Sequence, residues 1–232
     1  MRKFAISDIH GCLRSFKALL QKIGLNTSDE LYLLGDFVDR GPDSKGVIDY
    51  VLDLQAQGYS IFCLRGNHDH RFIQSKNDFE IRHSWYRWGG KQTLDSFGLR
   101  HMYLIHHIPQ HYWDFLNGLP YYLEVDNYLL VHAGVNFGHP QPLDDTHALM
   151  YLRYWYDQID PDWLGDRIIL HGHTPAEKSE ILKRRDDLEQ SPALGIDNGC
   201  FFLDRADHGR LCAFEMTQQE LYFQECLDAA HV

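Results

Sequence analysis

The chain has 232 residues, 44% of them hydrophobic and 24% charged, a globular composition with enough apolar material for a sizeable core. Its formal net charge of -11 argues against broad nucleic-acid binding, which needs cationic surface to neutralise phosphates. No apolar run approaches the roughly 20 residues that span a bilayer. Asp8 and His10 interrupt the apolar stretch behind Met1-Arg2-Lys3, so neither a signal peptide nor a membrane partner is expected.

Lys3 to Ser7 is predicted as a buried strand, ending in Asp8-Ile9-His10-Gly11. Leu13, Phe16, Leu19, Leu20 and Ile23 share one face of a helix that Gly24 stops. Leu31 to Leu34 is a second strand, running into Gly35-Asp36-Phe37-Val38-Asp39-Arg40-Gly41. Pro42 and Gly58 bracket a helix over Ser44 to Gln57. Ser60 to Leu64 is a third strand, followed by Gly66-Asn67-His68-Asp69. Such β-α-β-α-β alternation predicts a mixed or largely parallel sheet with helices on its faces. From about His70 to Leu119 the chain is rich in Trp, Tyr, His and Arg and reads as mainly helical, broken at Gly89-Gly90.

Tyr128 to Val131 resumes the strand pattern and ends at His132-Ala133-Gly134. His147 to Tyr156 is predicted helical. Ile168 to Leu170 and Ala193 to Ile196 are predicted strands, the first followed by His171-Gly172-His173-Thr174. Leu211 to Glu215 and Glu220 to Phe223 form a closing hairpin. With no linker or repeat, the expectation is one domain over residues 1–232, with a helical, aromatic-rich insertion at about 70–120. The five cysteines, Cys12, Cys63, Cys200, Cys212 and Cys226, are odd in number and include no C-x-x-C pair. Buried thiols in a reducing cytoplasm are expected, not a disulfide framework or a structural zinc.

The polar motifs sit at strand ends, where ligand sites of open α/β sheets lie. Asp, Asn and His donors gathered there suit two hard or borderline divalent ions. Asp8 and His10, two residues apart, face the same way in an extended segment and could share one ion. Asp36 is placed to bridge, and Asn67, His132 and His173 to complete the second ion's shell. His68 is a candidate general acid oriented by Asp39, and Arg40 a bidentate phosphate ligand. Asn67 is also a candidate substrate contact.

At these residues the chain resembles the calcineurin-like metallophosphoesterases, over residues 1 to about 200. Within them it is similar to the phosphoprotein phosphatase group, which includes short bacterial and phage Ser/Thr phosphatases and symmetrical diadenosine tetraphosphatases. Asp39-Arg40-Gly41 is the part specific to that group. The resemblance implies a mixed α/β fold, a β-sandwich core flanked by helices. It implies a dinuclear site with Asp8, His10 and Asp36 on one metal and Asp36, Asn67, His132 and His173 on the other. Manganese is the first expectation, with iron, zinc, nickel or cobalt as alternatives. Arg153 aligns with a second phosphate-binding arginine, whereas His171 matches no ligand of the family.

Trp85 to Thr93 resembles a W-x-x-N-G-G-x-x-T segment of the bacterial enzymes. Three positions depart from the usual pattern: Asp69 stands where the phosphatase group has Glu, Trp88 where it has Asn, and Pro175 where distant members carry another histidine. The expected activity is a cytoplasmic Ser/Thr protein phosphatase acting on phosphorylated protein or small phosphoesters. A hydroxide held between two metals would attack phosphorus directly. A dinucleoside polyphosphate hydrolase or a broad phosphodiesterase is the alternative, with Trp85, Tyr86, Trp88, Tyr112 and Trp113 as a stacking surface rather than helix packing. A non-catalytic binding module is the remote one.

Overall fold

The computed structural model describes residues 1–228. Its first third alternates as predicted: β1 (Lys3–Ile6), α1 (Leu13–Lys22), β2 (Glu30–Leu33), α2 (Ser44–Ala56) and β3 (Ser60–Cys63). A helical stretch follows, α3 (Asn67–Ser75), α4 (Phe79–Trp85), α5 (Lys91–Ser96) and α6 (Gln110–Asn117). The rest runs β4 (Tyr122–Val125), β5 (Tyr128–Val131), α7 (Thr146–Tyr151), α8 (Pro161–Leu164), β6 (Ile168–His171), α9 (Lys178–Asp186), β7 (Ala193–Gly195), β8 (Arg210–Glu215) and β9 (Glu220–Glu225).

Among the described residues the strands form two mixed sheets, in the orders β3-β2-β1-β8-β9 and β4-β5-β6-β7. β1, β2 and β3 are parallel, and β8 joins β1 antiparallel. Alternation along each strand divides its side chains between two layers. Phe4, Ile6, Leu31 and Leu33 pack with Phe16 and Leu19 of α1 and Val47 and Val51 of α2. Ala5, Tyr32 and Leu34 point the other way and meet Tyr128, Leu130, Leu170 and Leu194, so the sheets pack face to face. Leu129, Val131 and Ile169 turn outward onto Leu149, Trp155 and Leu164. Each such fully buried side chain contributes about 1.5–3 kcal/mol relative to exposure. This is the α/β sandwich the sequence predicts.

Four elements differ from expectation, one of them α8, a single turn behind Asp160 and Pro161 that no apolar period marks. The helix predicted to reach Tyr156 stops at Tyr151, and Leu152 is extended, at φ -67° and ψ 134°. The chain must leave the helix there to bury Trp155, whose Nε1 donates to the Ala133 carbonyl at 3.2 Å. A Cβ on Gly134 would fall 2.2 Å from that indole nitrogen, so only glycine admits the ring. β4 was not predicted; it pairs with β5 across a two-residue turn in which Asp126 has φ 51°. An Asp-Asn pair between two apolar runs is the signal for it. α9 was also missed, because Ile181 is its one fully covered side chain and no apolar stripe marks it.

In the helical stretch, Trp85 and Trp113 are buried and stack on Phe72 at 5.2 and 4.5 Å. Tyr112 is buried as well. These rings are helix packing, while Trp88 stays exposed. No described helix is long and apolar enough to cross a membrane.

Candidate active site

The motif residues leave the carboxyl ends of β1, β2, β3, β5 and β6 and converge on one place. Their backbones are unusual. Asp8, His10, Asp36, Asp39, Arg40 and His173 all have positive φ, between 47° and 73°. L-residues avoid that region, and its concentration here marks strain held by the surrounding fold. It also corrects one expectation. Asp8 and His10 do not share a face by extension; two left-handed residues fold the segment so that His10 Nε2 lies 4.0 Å from an Asp8 oxygen.

Asp36 is at the middle. Its Oδ2 is 3.4 Å from His10 Nε2 and 3.5 Å from His132 Nε2, while Oδ1 accepts the His68 backbone N–H at 2.9 Å. Burial alone would raise its pKa; His132, His68 and His10 overcome this and hold it below the usual carboxylate range. Asn67 Oδ1 lies 3.0 Å from His132 Nε2 and 2.9 Å from His173 Nδ1. His10 and His132 each place Nδ1 against a backbone carbonyl, Val38 and Leu34, at 2.9 and 2.8 Å. A carbonyl accepts, so Nδ1 carries the proton and Nε2 is left with a lone pair, which on His10 accepts from Arg40 in this structure.

Burial pushes His10 and His173 well below the usual imidazole range, leaving neutral rings fit to coordinate. Asp8 accepts the His173 N–H at 2.9 Å, tying the first motif to the last. Two groups of donors share Asp36, His10 with His68 in one and Asp8 with His132 in the other, and Asn67 and His173 adjoin His132. Imidazole, carboxylate and amide oxygen around a central carboxylate fit a pair of divalent ions.

His68 Nδ1 sits 2.7 Å from Asp39 Oδ2. Burial opposes protonation of His68, but Asp36 and Asp39 prevail and its pKa is raised. Asp39 is itself fixed by Trp85 Nε1 at 2.9 Å and the Thr93 hydroxyl at 2.7 Å, both from the helical stretch. Arg40 lies over the Phe201 ring at 4.4 Å and donates to His10 Nε2 at 2.9 Å. Arg153 is exposed and its Nε donates to His173 Nε2 at 3.1 Å, so both candidate arginines border the cluster. His171 is held apart by the Tyr156 hydroxyl and the Gly172 carbonyl.

Sequence reasoning missed three participants. Asp69 accepts the backbone N–H groups of Asp36, Phe37 and Gly66 at 2.8, 3.0 and 3.0 Å, so the departure from Glu supplies the shorter acid that clamps the bridging loop. Asp197, just past β7, is buried, and burial together with the Asp8 charge pushes its pKa well up. Its strand-end position was the available signal. Phe201 had none, since only the fold sets its ring against Arg40 and His10.

The family model for calcineurin-like phosphoesterases matches residues 1–198. A symmetrical bis(5'-nucleosyl)-tetraphosphatase of Nitrosomonas europaea is 34% identical over 58% of this chain; the match spans 45% of that enzyme, less than half its length. An asymmetrical bis(5'-nucleosyl)-tetraphosphatase of Oceanobacillus iheyensis is 26% identical over 93% of this chain and 88% of its own. Among solved structures, a protein serine/threonine phosphatase of Saccharomyces cerevisiae shares the fold with a TM-score of 0.63, at 14% identity over 100% of this chain and 82% of that one. The chain belongs to the calcineurin-like phosphoesterases, metal-dependent phosphoric ester hydrolases that use a dinuclear divalent centre.

Proposed function

We propose that this chain hydrolyses dinucleoside polyphosphates, and that it does so as one domain with residues from about 70 to 120 as a helical insertion. This replaces the expected phosphoprotein substrate with a small phosphoester. One observation carries the reading. A cavity of about 510 Å³ opens beside the His173 loop, lined by Tyr154, Tyr156, Thr174, Pro175 and Arg184. It has the size of a small-ligand site. Tyr154 is held at φ 57° and is 86% exposed, and Arg184 lies over the Tyr156 ring at 4.4 Å. Aromatic faces and a planar guanidinium are the surfaces on which nucleobases stack. The names of the two tetraphosphatase relatives support the same substrate class.

The roles follow from position. Asp8, His10, Asp36, Asn67, His132 and His173 hold the metals. Two divalent ions bound there supply Lewis-acid stabilisation of phosphoryl charge and acidify water to near neutrality. Arg40, beside His10, and Arg153, beside His173, take the phosphate oxygens, and Asn67, which also touches His173, is a further substrate contact. His68 gives its Nε2 proton to the departing oxygen, because Asp39 fixes Nδ1 at 2.7 Å and Asp36 together with Asp39 raises the ring's pKa.

The test uses manganese-loaded protein on diadenosine tetraphosphate, p-nitrophenyl phosphate, and phosphoserine and phosphothreonine peptides side by side. The dinucleotide is expected to have the highest kcat/KM, and chromatography of the products shows whether the cut is symmetrical. Tyr154→Ala is expected to raise KM for the dinucleotide about tenfold, the value of one lost stacking contact, and to leave p-nitrophenyl phosphate unchanged. Preference for the phosphopeptides would overturn the proposal.

A further inference from the structure

Cys12, Cys200 and Cys226 are remote in sequence, yet their sulfur atoms all lie within 4.8 Å of one another. Cys12 and Cys200 are 1% exposed and Cys226 is half-buried. Three different parts of the fold deliver them: the start of α1, the loop after β7 and the end of β9. The last is held by a definite contact. The Asp228 carboxylate accepts the backbone N–H groups of Arg14 and Ser15 at 2.8 and 2.7 Å, and the Ser15 hydroxyl donates to it as well. Ser15 Oγ in turn accepts the Leu227 N–H at 2.8 Å, and Cys226 N–H donates to the Gly209 carbonyl at 2.9 Å. The tail is therefore clamped over the N-terminus of α1, an end that favours anionic sulfur.

We propose that these three cysteines form a thiolate site for a thiophilic cation, zinc(II) or copper(I), separate from the imidazole and carboxylate centre. An all-sulfur donor set selects these ions. Zinc–sulfur bonds of about 2.3 Å put tetrahedral thiolates about 3.8 Å apart, inside the 4.8 Å within which the three sulfurs lie. Mutual proximity of three sulfurs also exceeds what a disulfide would use. Binding forms three metal–sulfur bonds and releases to solvent the protons the thiols still carry; no oxidation state changes. An ion here would tie the tail to the active site, because Cys200 precedes Phe201, the ring under Arg40, and Cys12 is two residues past His10.

The test fills the imidazole and carboxylate centre of the reduced full chain with manganese and then titrates cobalt(II) as a spectroscopic stand-in for zinc. The expected result is a thiolate-to-cobalt charge-transfer band that saturates at one equivalent. Cys200→Ser and Cys226→Ser should abolish it, and Asp36→Asn, which strikes only the other centre, should keep it. Displacement of cobalt by zinc(II) or by copper(I) supports the site and identifies the preferred ion. Cys226→Ser lies at a half-exposed end, so an unchanged circular-dichroism spectrum separates lost binding from lost folding. A wild-type chain with no such band, or a band that survives both cysteine variants, overturns the proposal.

Discussion

Asp36 touches both halves of the centre, lying within 3.5 Å of a nitrogen of His10 and of His132. Asp36→Asn keeps the shape and removes the charge that lies between His10 and His132. Activity is expected to fall by about 10²–10³, as when one group stabilising the transition state is lost, and bound metal measured by mass spectrometry should fall with it. His68 is different. His68→Asn should leave metal content intact and slow alkyl phosphates by about 10²–10⁴, the range of a general acid. Aryl phosphates, whose leaving groups need no proton, should lose much less. Equal losses on both would reject the acid role. The candidate ligands were legible because Asp, Asn and His recur at strand ends, a pattern that composition and spacing expose. Asp69, Asp197 and Phe201 act through what they touch, which spacing does not reveal.

At the scale of elements, the helical stretch beyond α3 serves the centre by holding Asp39 and Arg40. Trp85 and Thr93 anchor Asp39, and the kink between α4 and α5 reaches Arg40. Gly89 has φ 113° there, and a Cβ would stand 2.8 Å from Arg40 N. Gly89→Ala is expected to cost about 1–3 kcal/mol in urea unfolding from strain alone. It should also raise KM by displacing Arg40; an unchanged KM would remove that link. α1 was legible from one face of apolar residues and β5 from an unbroken apolar run. α9 and β4 were not, since one buries a single covered side chain and the other lies at a sheet edge.

For the whole molecule, closure of the site depends on joining distant segments, and bound metal should report it. The melting temperature is expected to rise with manganese, by about 2.7 kcal/mol of stabilisation at one hundred times Kd. A chelator should reverse the rise, and Asp36→Asn should flatten it. Far from the site, Arg2 grips Asp29 at 2.6 and 3.1 Å, joining the first residues to the turn before β2. Burial would raise the Asp29 pKa, but Arg2 and Asn26 hydrogen bonds lower it. A depressed folded-state value stabilises above the unfolded Asp pKa of about 3.9 and is lost as pH falls through the folded value. Because Arg2 is 43% exposed, the pair contributes at most about 1 kcal/mol. Asp29→Asn should lower stability by that amount near neutral pH, with the difference shrinking on acidification. The sequence by itself determined the alternating α/β core and the donor types at strand ends, because periodicity and strand-end chemistry are local. Only the tertiary structure decided which donors meet at Asp36, which arginine faces which imidazole, and that three scattered cysteines converge. Those outcomes depend on how two sheets pack and where the tail is clamped, which no local pattern contains.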